Sequence, residues 1–343
     1  MSEVIARGAS DLHLNPGRPP TLRVNGHLVS IGEGPLGESE SEMLCRELCD
    51  ERHWAEVQEV GTTDFGLPHA DGNRFRVNVM RQRGSYAAAL RLIPNRLLSF
   101  EEIGLPESVR PLLRRPRGLV LVTGPTGSGK TTTLATMVDW INQNLDRHIV
   151  TIEDPVEYFH GHKKGIVTQR EVGSDVPNFP EALRRVLRQD PDVILLGEMR
   201  DLATISAAIT AAETGHLVLA TLHTTGSART VNRIIDAFPP EQQEQIRAQL
   251  SVALIAVVSQ ALLPKKDGKG RVAAFEVMLM TPAIGNLVRK NETNKIQSTI
   301  QTSKKLGMIT LDDYLHDLFK RDKITREVAL DAAQDPADLE MRL

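Results

Sequence analysis

Residues 124–131 read Gly124, Pro125, Thr126, Gly127, Ser128, Gly129, Lys130 and Thr131. This is a G-x-x-x-x-G-K-T pattern, whose glycines let successive backbone N–H groups turn inward around phosphate oxygens. An apolar run at 119–123 enters the loop, and a helical stretch carrying Thr132, Thr133 and Leu134 leaves it. A helix N-terminus placed there adds partial positive charge at the phosphates. The implied ligand is ATP with Mg²⁺: Lys130 reaches the β and γ phosphates, and the Thr131 hydroxyl is a metal ligand. Thr132, in the same first turn, is counted with the binding residues.

Acidic and imidazole groups follow at the ends of later apolar runs. Residues 193–196 are all apolar and lead into Gly197 and Glu198. Glycine stands where many P-loop enzymes place a metal-side aspartate, so Glu198 is expected to act alone, through a metal-bound water or by orienting the attacking water. Residues 149–152 lead into Glu153, Asp154, Pro155, Val156 and Glu157. Ends of parallel strands face the ligand crevice, which makes Glu153 and Glu157 catalytic candidates. His216 and His223 flank the run 217–220, and His223 sits beside Thr221 and Thr224. A polar cluster of that kind suits sensing of a γ-phosphate.

Positioning such groups requires strands alternating with helices. From Gly118 onward the chain supplies them: strands at 119–123, 149–152, 193–196 and 217–220, and helices from Lys130, at 180–188, 202–214 and 227–237. The pattern predicts a parallel sheet covered by helices, with Gly215 ending the third of these helices. Residues 241–258 carry apolar positions at helical spacing, and 252–263 read as a buried helix too short, and interrupted by Ser259 and Gln260, to cross a membrane.

Before Gly118 the pattern is different. Short strands at 12–14 and 21–24, one helix at 38–59, and strands at 74–80 and 87–93 around a Gly84 turn predict a small α+β domain. Pro94, Pro106, Pro111 and Pro116 mark a connecting segment.

The 343 residues suffice for two or three domains. A net charge of −3 and pI near 6.4 disfavour a nucleic-acid-coating protein, so no nucleic-acid partner is expected. Cys45 and Cys49 are the only cysteines, without further ligands at zinc spacing, and read as reduced thiols of a cytosolic protein. The first eight residues show no basic region leading into an apolar core, so no secretion signal is expected.

The run Leu187-Arg188-Gln189-Asp190-Pro191-Asp192-Val193-Ile194-Leu195-Leu196-Gly197-Glu198-Met199-Arg200-Asp201 resembles the signature of the type II and type IV secretion and pilus ATPase family. Residues 151–157 resemble that family's Asp box, 214–224 its His box and 124–131 its Walker A motif, in the expected order. Similarity extends to Gly8–Leu14 and to Ser303–Leu311, almost the whole chain. The resemblance implies an α/β fold: a RecA-like P-loop core with a parallel sheet, preceded by a small α+β PAS-like domain and followed by a helical C-terminal region. The implied boundaries are 1–98, a linker at 99–116, 117–270 and 271–343.

It also implies a homohexameric ring with ATP at the domain and subunit interface, where Arg76, Arg81 and Arg91 are candidates to reach a γ-phosphate. The missing four-cysteine metal motif and additional N-terminal domain favour the retraction branch, which drives pilin depolymerisation and twitching motility. The implied partners are an inner-membrane platform protein, which would hold this cytoplasmic chain at the membrane, and a retraction-branch paralogue. One position departs: the branch's motif Ala-Ile-Arg-Asn-Leu-Ile-Arg reads Ala283, Ile284, Gly285, Asn286, Leu287, Val288, Arg289 here. Alternatives are an accessory retraction ATPase or a DNA-translocating P-loop ring.

Overall fold

The computed structural model describes residues 1–343 except Asn25, Glu33, Asp71, Pro94 and Asn95. The chain divides into two compact units: Met1–Arg96 with Pro155–Phe159, and Leu97–Asp154 with His160–Leu343.

The first unit is built on six antiparallel strands, β1 (Asp11–Leu14), β2 (Thr21–Val24), β3 (His27–Ser30), β4 (Thr62–Pro68), β5 (Arg74–Gln82) and β6 (Ser85–Ile93). Their order is β3-β2-β1-β6-β5-β4. β5 and β6 form the expected hairpin, closed through Arg83 and Gly84, both with positive φ (48° and 84°) as a tight two-residue turn requires. Phe75, Val77 and Val79 alternate into the core while the intervening residues stay partly exposed.

The single helix expected at 38–59 is two, Glu38–Leu48 and Glu51–Val60. Cys49 leaves helical geometry (φ −93°, ψ 140°), and the Asp50 carboxylate starts the second helix by accepting from the His53 N–H at 2.8 Å. Periodicity hides such a break, because a capping aspartate inside a charged run looks like one more exposed residue. Cys45 and Cys49 are free and buried, and burial pushes their thiols up to about 12 and about 11, which keeps them protonated and unreactive.

The second unit holds seven strands, β7 (Gly118–Thr123), β8 (His148–Glu153), β9 (Ile166–Glu171), β10 (Val193–Leu196), β11 (Leu217–Leu222), β12 (Leu254–Pro264) and β13 (Arg271–Leu279). Their order is β13-β12-β7-β11-β10-β8-β9, parallel throughout except for the antiparallel β12–β13 pair. Every residue of β7, β10 and β11 is buried, as expected of strands covered on both faces.

Three expectations are corrected. Residues 252–263 are not a helix: the preceding helix ends at Ala253 and β12 begins at Leu254. A strand buried on both faces is a continuous apolar run, which periodicity cannot separate from a buried helix segment, although Ile255, Val257 and Val258 are strand-forming residues. The boundary placed at 270 therefore falls inside the β12–β13 hairpin. The presumed linker at 99–116 is packed into the second unit, with Phe100, Ile103, Leu105, Val109, Leu112 and Leu113 buried against β7 and the Lys130–Asn144 helix. Pro106 starts and Pro111 lies within the short helix Glu107–Arg114, so these prolines shape packed turns rather than free chain, and Pro94 lies outside the described residues.

Replacing Asp50 with Ala leaves the N-terminal N–H groups of the Glu51–Val60 helix without their cap. It should cost about 1 kcal/mol, read as a lower urea midpoint by Trp54 fluorescence in a Trp140→Phe background.

Candidate nucleotide-binding and hydrolytic site

Because β7, β8, β10 and β11 run parallel, their C-terminal ends share one edge, and the candidate groups of the second unit gather there. Thr123 lies across from Leu222 on one side and Ser259 on the other. The phosphate loop leaves β7 at Gly124, whose N–H donates to Leu222 O at 3.3 Å. Gly124, Gly127 and Gly129 hold φ of 146°, 79° and 89°, values that side chains resist. Gly129 caps the Lys130–Asn144 helix, so the loop ends on that helix's free N–H groups.

The loop rests on β12. A Cβ at Gly124 would lie 2.3 Å from Gln260 O and 2.6 Å from Ser128 Oγ, and one at Gly129 would lie 2.9 Å from Gln260 Nε2. The Gln260 side chain also accepts from Thr133 Oγ1 at 2.7 Å, bracing the first turn of the helix. Sequence reading took Gln260 only as an interruption in an apolar run. A buried amide in such a run requires partners, and that was the available signal. Lys130 is buried and folds back, its Nζ donating to Gly124 O at 2.9 Å and Pro125 O at 3.0 Å. Ser128 Oγ is buried without a hydrogen-bond partner, a donor aimed into the cradle.

Glu198 follows β10, and its carboxylate meets a guanidinium and an imidazole: Arg200 Nε at 2.7 Å and His223 Nε2 at 3.0 Å. Burial pushes the Glu198 pKa up, but the Arg200 hydrogen bond and the His223 and Arg200 charges outweigh it and hold the carboxyl below its ordinary value. Arg200 is raised in turn by Glu198 and by the charge of Asp154. Arg200 lies in the signature run but was missed as a site residue because an exposed arginine looks solvated. Gly197 has a steric reason: a Cβ there would come within 3.3 Å of Glu153 Cα. Glu153 closes β8, buried, accepting from Thr151 Oγ1 at 2.6 Å and Gln169 Nε2 at 3.3 Å.

A family model described as "Type II/IV secretion system protein" matches residues 1–328. The type IV pilus retractation ATPase PilT of Pseudomonas aeruginosa is 48% identical over 96% of this chain and 96% of its own. The type IV pilus ATPase PilU of the same organism is 39% identical over 99% of this chain and 89% of its own. A crystal structure titled as the pilus retraction motor PilT with bound ADP superposes with a TM-score of 0.92 at 47% identity, over 99% of this chain and 97% of that one.

The chain belongs to the type II/IV secretion system protein family.

Within this family member, not every anticipated residue joins the edge. His216 precedes β11, its Nδ1 3.1 Å from Ala211 O, and its carbonyl accepts from Gly118 N at the start of β7. It therefore sits at the opposite edge of the sheet, roughly 20 Å from His223 at about 3.3 Å per strand residue; within this subunit its role is structural, which corrects the nucleotide-contact expectation. Glu157 belongs to the first unit, where the neighbouring Val156 O accepts from Arg74 Nη1 at 2.9 Å.

Arg76 and Arg91 are cross-strand neighbours on one sheet face. Arg91 Nε is paired with Asp11 at 2.8 Å, Arg76 Nε lies 3.8 Å from Asp64, and Arg81 stacks over the Tyr86 ring at 5.8 Å.

Arg200→Ala should move the acid limb of the ATPase pH profile to higher pH, because it removes the largest interaction that opposes burial at Glu198 and leaves only His223 to counter it. An unchanged limb would exclude Arg200 as its counter-ion. Gln260→Ala, which unbraces the loop, should raise KM for ATP by about tenfold with the fold retained, measured by steady-state kinetics.

Proposed function

We propose that this chain is an ATP-hydrolysing motor of a type IV pilus machine that drives pilus retraction, by pilin depolymerisation, and so twitching motility. The observation that supports it most is end-to-end similarity to PilT, at 48% identity over 96% of both chains, joined to a site holding a phosphate loop, a carboxylate and an imidazole at one sheet edge.

Donor chemistry fits Mg²⁺ with ATP. Among the described residues no three His, Cys, Asp or Glu side chains cluster as a metal cage. The ion would be held by the Thr131 hydroxyl, phosphate oxygens and water, as is usual for Mg²⁺. Bound there, Mg²⁺ would supply positive charge that offsets the charge of the phosphates. The loop from Gly124 through Thr126, Gly127 and Ser128 to Thr132 binds the phosphates. Lys130 Nζ exchanges the Gly124 and Pro125 carbonyls for phosphate oxygens. Glu198, held as a carboxylate, orients the attacking water and accepts its proton, with Glu153 supporting the same edge. His223 shares Glu198 Oε1 and reads the state of the γ-phosphate.

The proposed assembly is a homohexamer in which Arg76 and Arg81 reach a neighbouring subunit's nucleotide. Arg91 is the weaker candidate because its guanidinium is engaged with Asp11. Among the described residues no helix is long and apolar enough to cross a membrane. The proposed partners are the inner-membrane platform protein of the pilus machine and a PilT- or PilU-like paralogue. Gly285 is buried on the Pro282–Arg289 helix, 3.4 Å in Cβ terms from Ser251 O, and Arg289 Nη1 donates to Ser251 Oγ at 3.0 Å.

Purified full-length protein should hydrolyse ATP, with Glu198→Gln lowering kcat by about 100-fold or more. A strain whose only retraction ATPase is this chain should twitch, and should stop with Glu198→Gln. Wild-type hydrolysis by Glu198→Gln would sink the assignment, and hydrolysis without motility would favour the accessory reading suggested by PilU.

A further inference from the structure

Glu276, in β13, is fully buried, and its carboxylate is occupied from two sides. Oε1 accepts from Ser227 N and Ser227 Oγ, each at 2.7 Å, at the start of the Ser227–Ile235 helix. Oε2 accepts from Gln334 Nε2 at 3.0 Å. Gln334 lies between the last two helices, Arg326–Ala332 and Pro336–Arg342. Its backbone N–H donates to Asp312 Oδ1 at 2.7 Å, and its side-chain oxygen accepts from Gln297 Nε2 at 2.8 Å. Asp312 Oδ2 also holds Asp335 N at 2.9 Å. Gln334 thus links the segments of Gln297 and Asp312 to a buried carboxylate, through its side-chain amide and its backbone N–H.

What that carboxylate holds is the chain leaving His223. Gly226 adopts φ 82° and ψ 150°, and a Cβ there would lie 3.3 Å from Gln334 Nε2 and 3.8 Å from Glu276 Oε1. The Gly226 N–H donates to Ser259 Oγ at 2.9 Å. The turn is therefore pinned three residues beyond the imidazole that contacts Glu198.

We propose that Gln334 and Glu276 are positioning residues for ATP hydrolysis: through Gly226 and Ser227 they set where His223 meets Glu198, so that the C-terminal helices have a direct mechanical line to the hydrolytic site. This rests on the reading of His223 as a participant in hydrolysis. Leaving a buried charge half-partnered is costly, so the carboxylate enforces this geometry instead of merely tolerating it.

The test is steady-state ATPase kinetics of the full chain. Gln334→Glu sets two carboxylates against each other in a buried place and Gln334→Ala removes the donor; each should lower kcat by about tenfold with KM for ATP within about twofold. The exchange Glu276→Gln with Gln334→Glu restores an acceptor for Ser227 and a donor between positions 276 and 334, and should return kcat to within about twofold of wild type. His223→Ala is the reference. If His223→Ala leaves kcat unchanged, the reading of the site fails. If His223→Ala lowers kcat while folded Gln334 variants keep wild-type kcat, or if the exchange does not rescue, the proposal is overturned.

Discussion

The seat of the phosphate loop on β12 is the contact on which the rest of the site depends. Gly124 leaves β7 so close to the Gln260 carbonyl that no Cβ could stand between them. The loop's inward curvature is thus imposed by a neighbouring strand as well as by its own glycines. The same strand supplies Ser259 to the Gly226 turn and the Gln260 amide to the first turn of the phosphate-binding helix. A single parallel register, in which Thr123 faces both Leu222 and Ser259, therefore sets the phosphate cradle and the imidazole loop in one frame. A slip of β12 by one residue would turn Ser259 and Gln260 to opposite faces and undo both supports together.

Much of this was legible in sequence, and what was not has a physical reason. β7, β8, β10 and β11 announced themselves because apolar runs end in glycine, acid or histidine at the functional edge. β12 did not, because burial on both faces erases the period that separates strand from helix. The first helix pair was fused because Asp50 acts through its side chain while looking like surface charge. The prolines between 99 and 116 suggested a tether, yet the apolar residues between them are core. His216 was drawn to the site by its nearness in sequence to His223, whereas a strand of six residues carries the two histidines to opposite edges. The supporting residues Gln260 and Glu276 match no motif, and Arg200 lies in the signature run without a role that its type or spacing announces. Two of them did leave a trace, as polar groups inside apolar strands, a placement that obliges them to find partners.

The Glu198 carboxylate, the proposed catalytic group, shows how opposing terms are set against each other. Burial alone would favour a protonated Glu198, unable to accept a proton from water. Arg200 and His223 reverse that preference, while the exposure of both leaves them free to exchange partners. The other acids of the same motif serve the scaffold: Asp192 Oδ2 accepts from His148 N at 2.8 Å at the far edge of the sheet, and Asp201 caps the Leu202–Glu213 helix through Thr204 N at 2.8 Å. At 197 a Cβ would lie 3.3 Å from Glu153 Cα, so a side chain there would need the β8 backbone to give by a few tenths of an ångström. A lone glutamate in that position needs its counter-ions supplied from elsewhere in the fold. One comes from the same loop, as Arg200. The other comes from β11, as His223, whose own placement is fixed at Gly226 by β12 and β13. The hydrolytic charge is consequently tied to the strand pair that sequence reading had mistaken for helix and domain boundary.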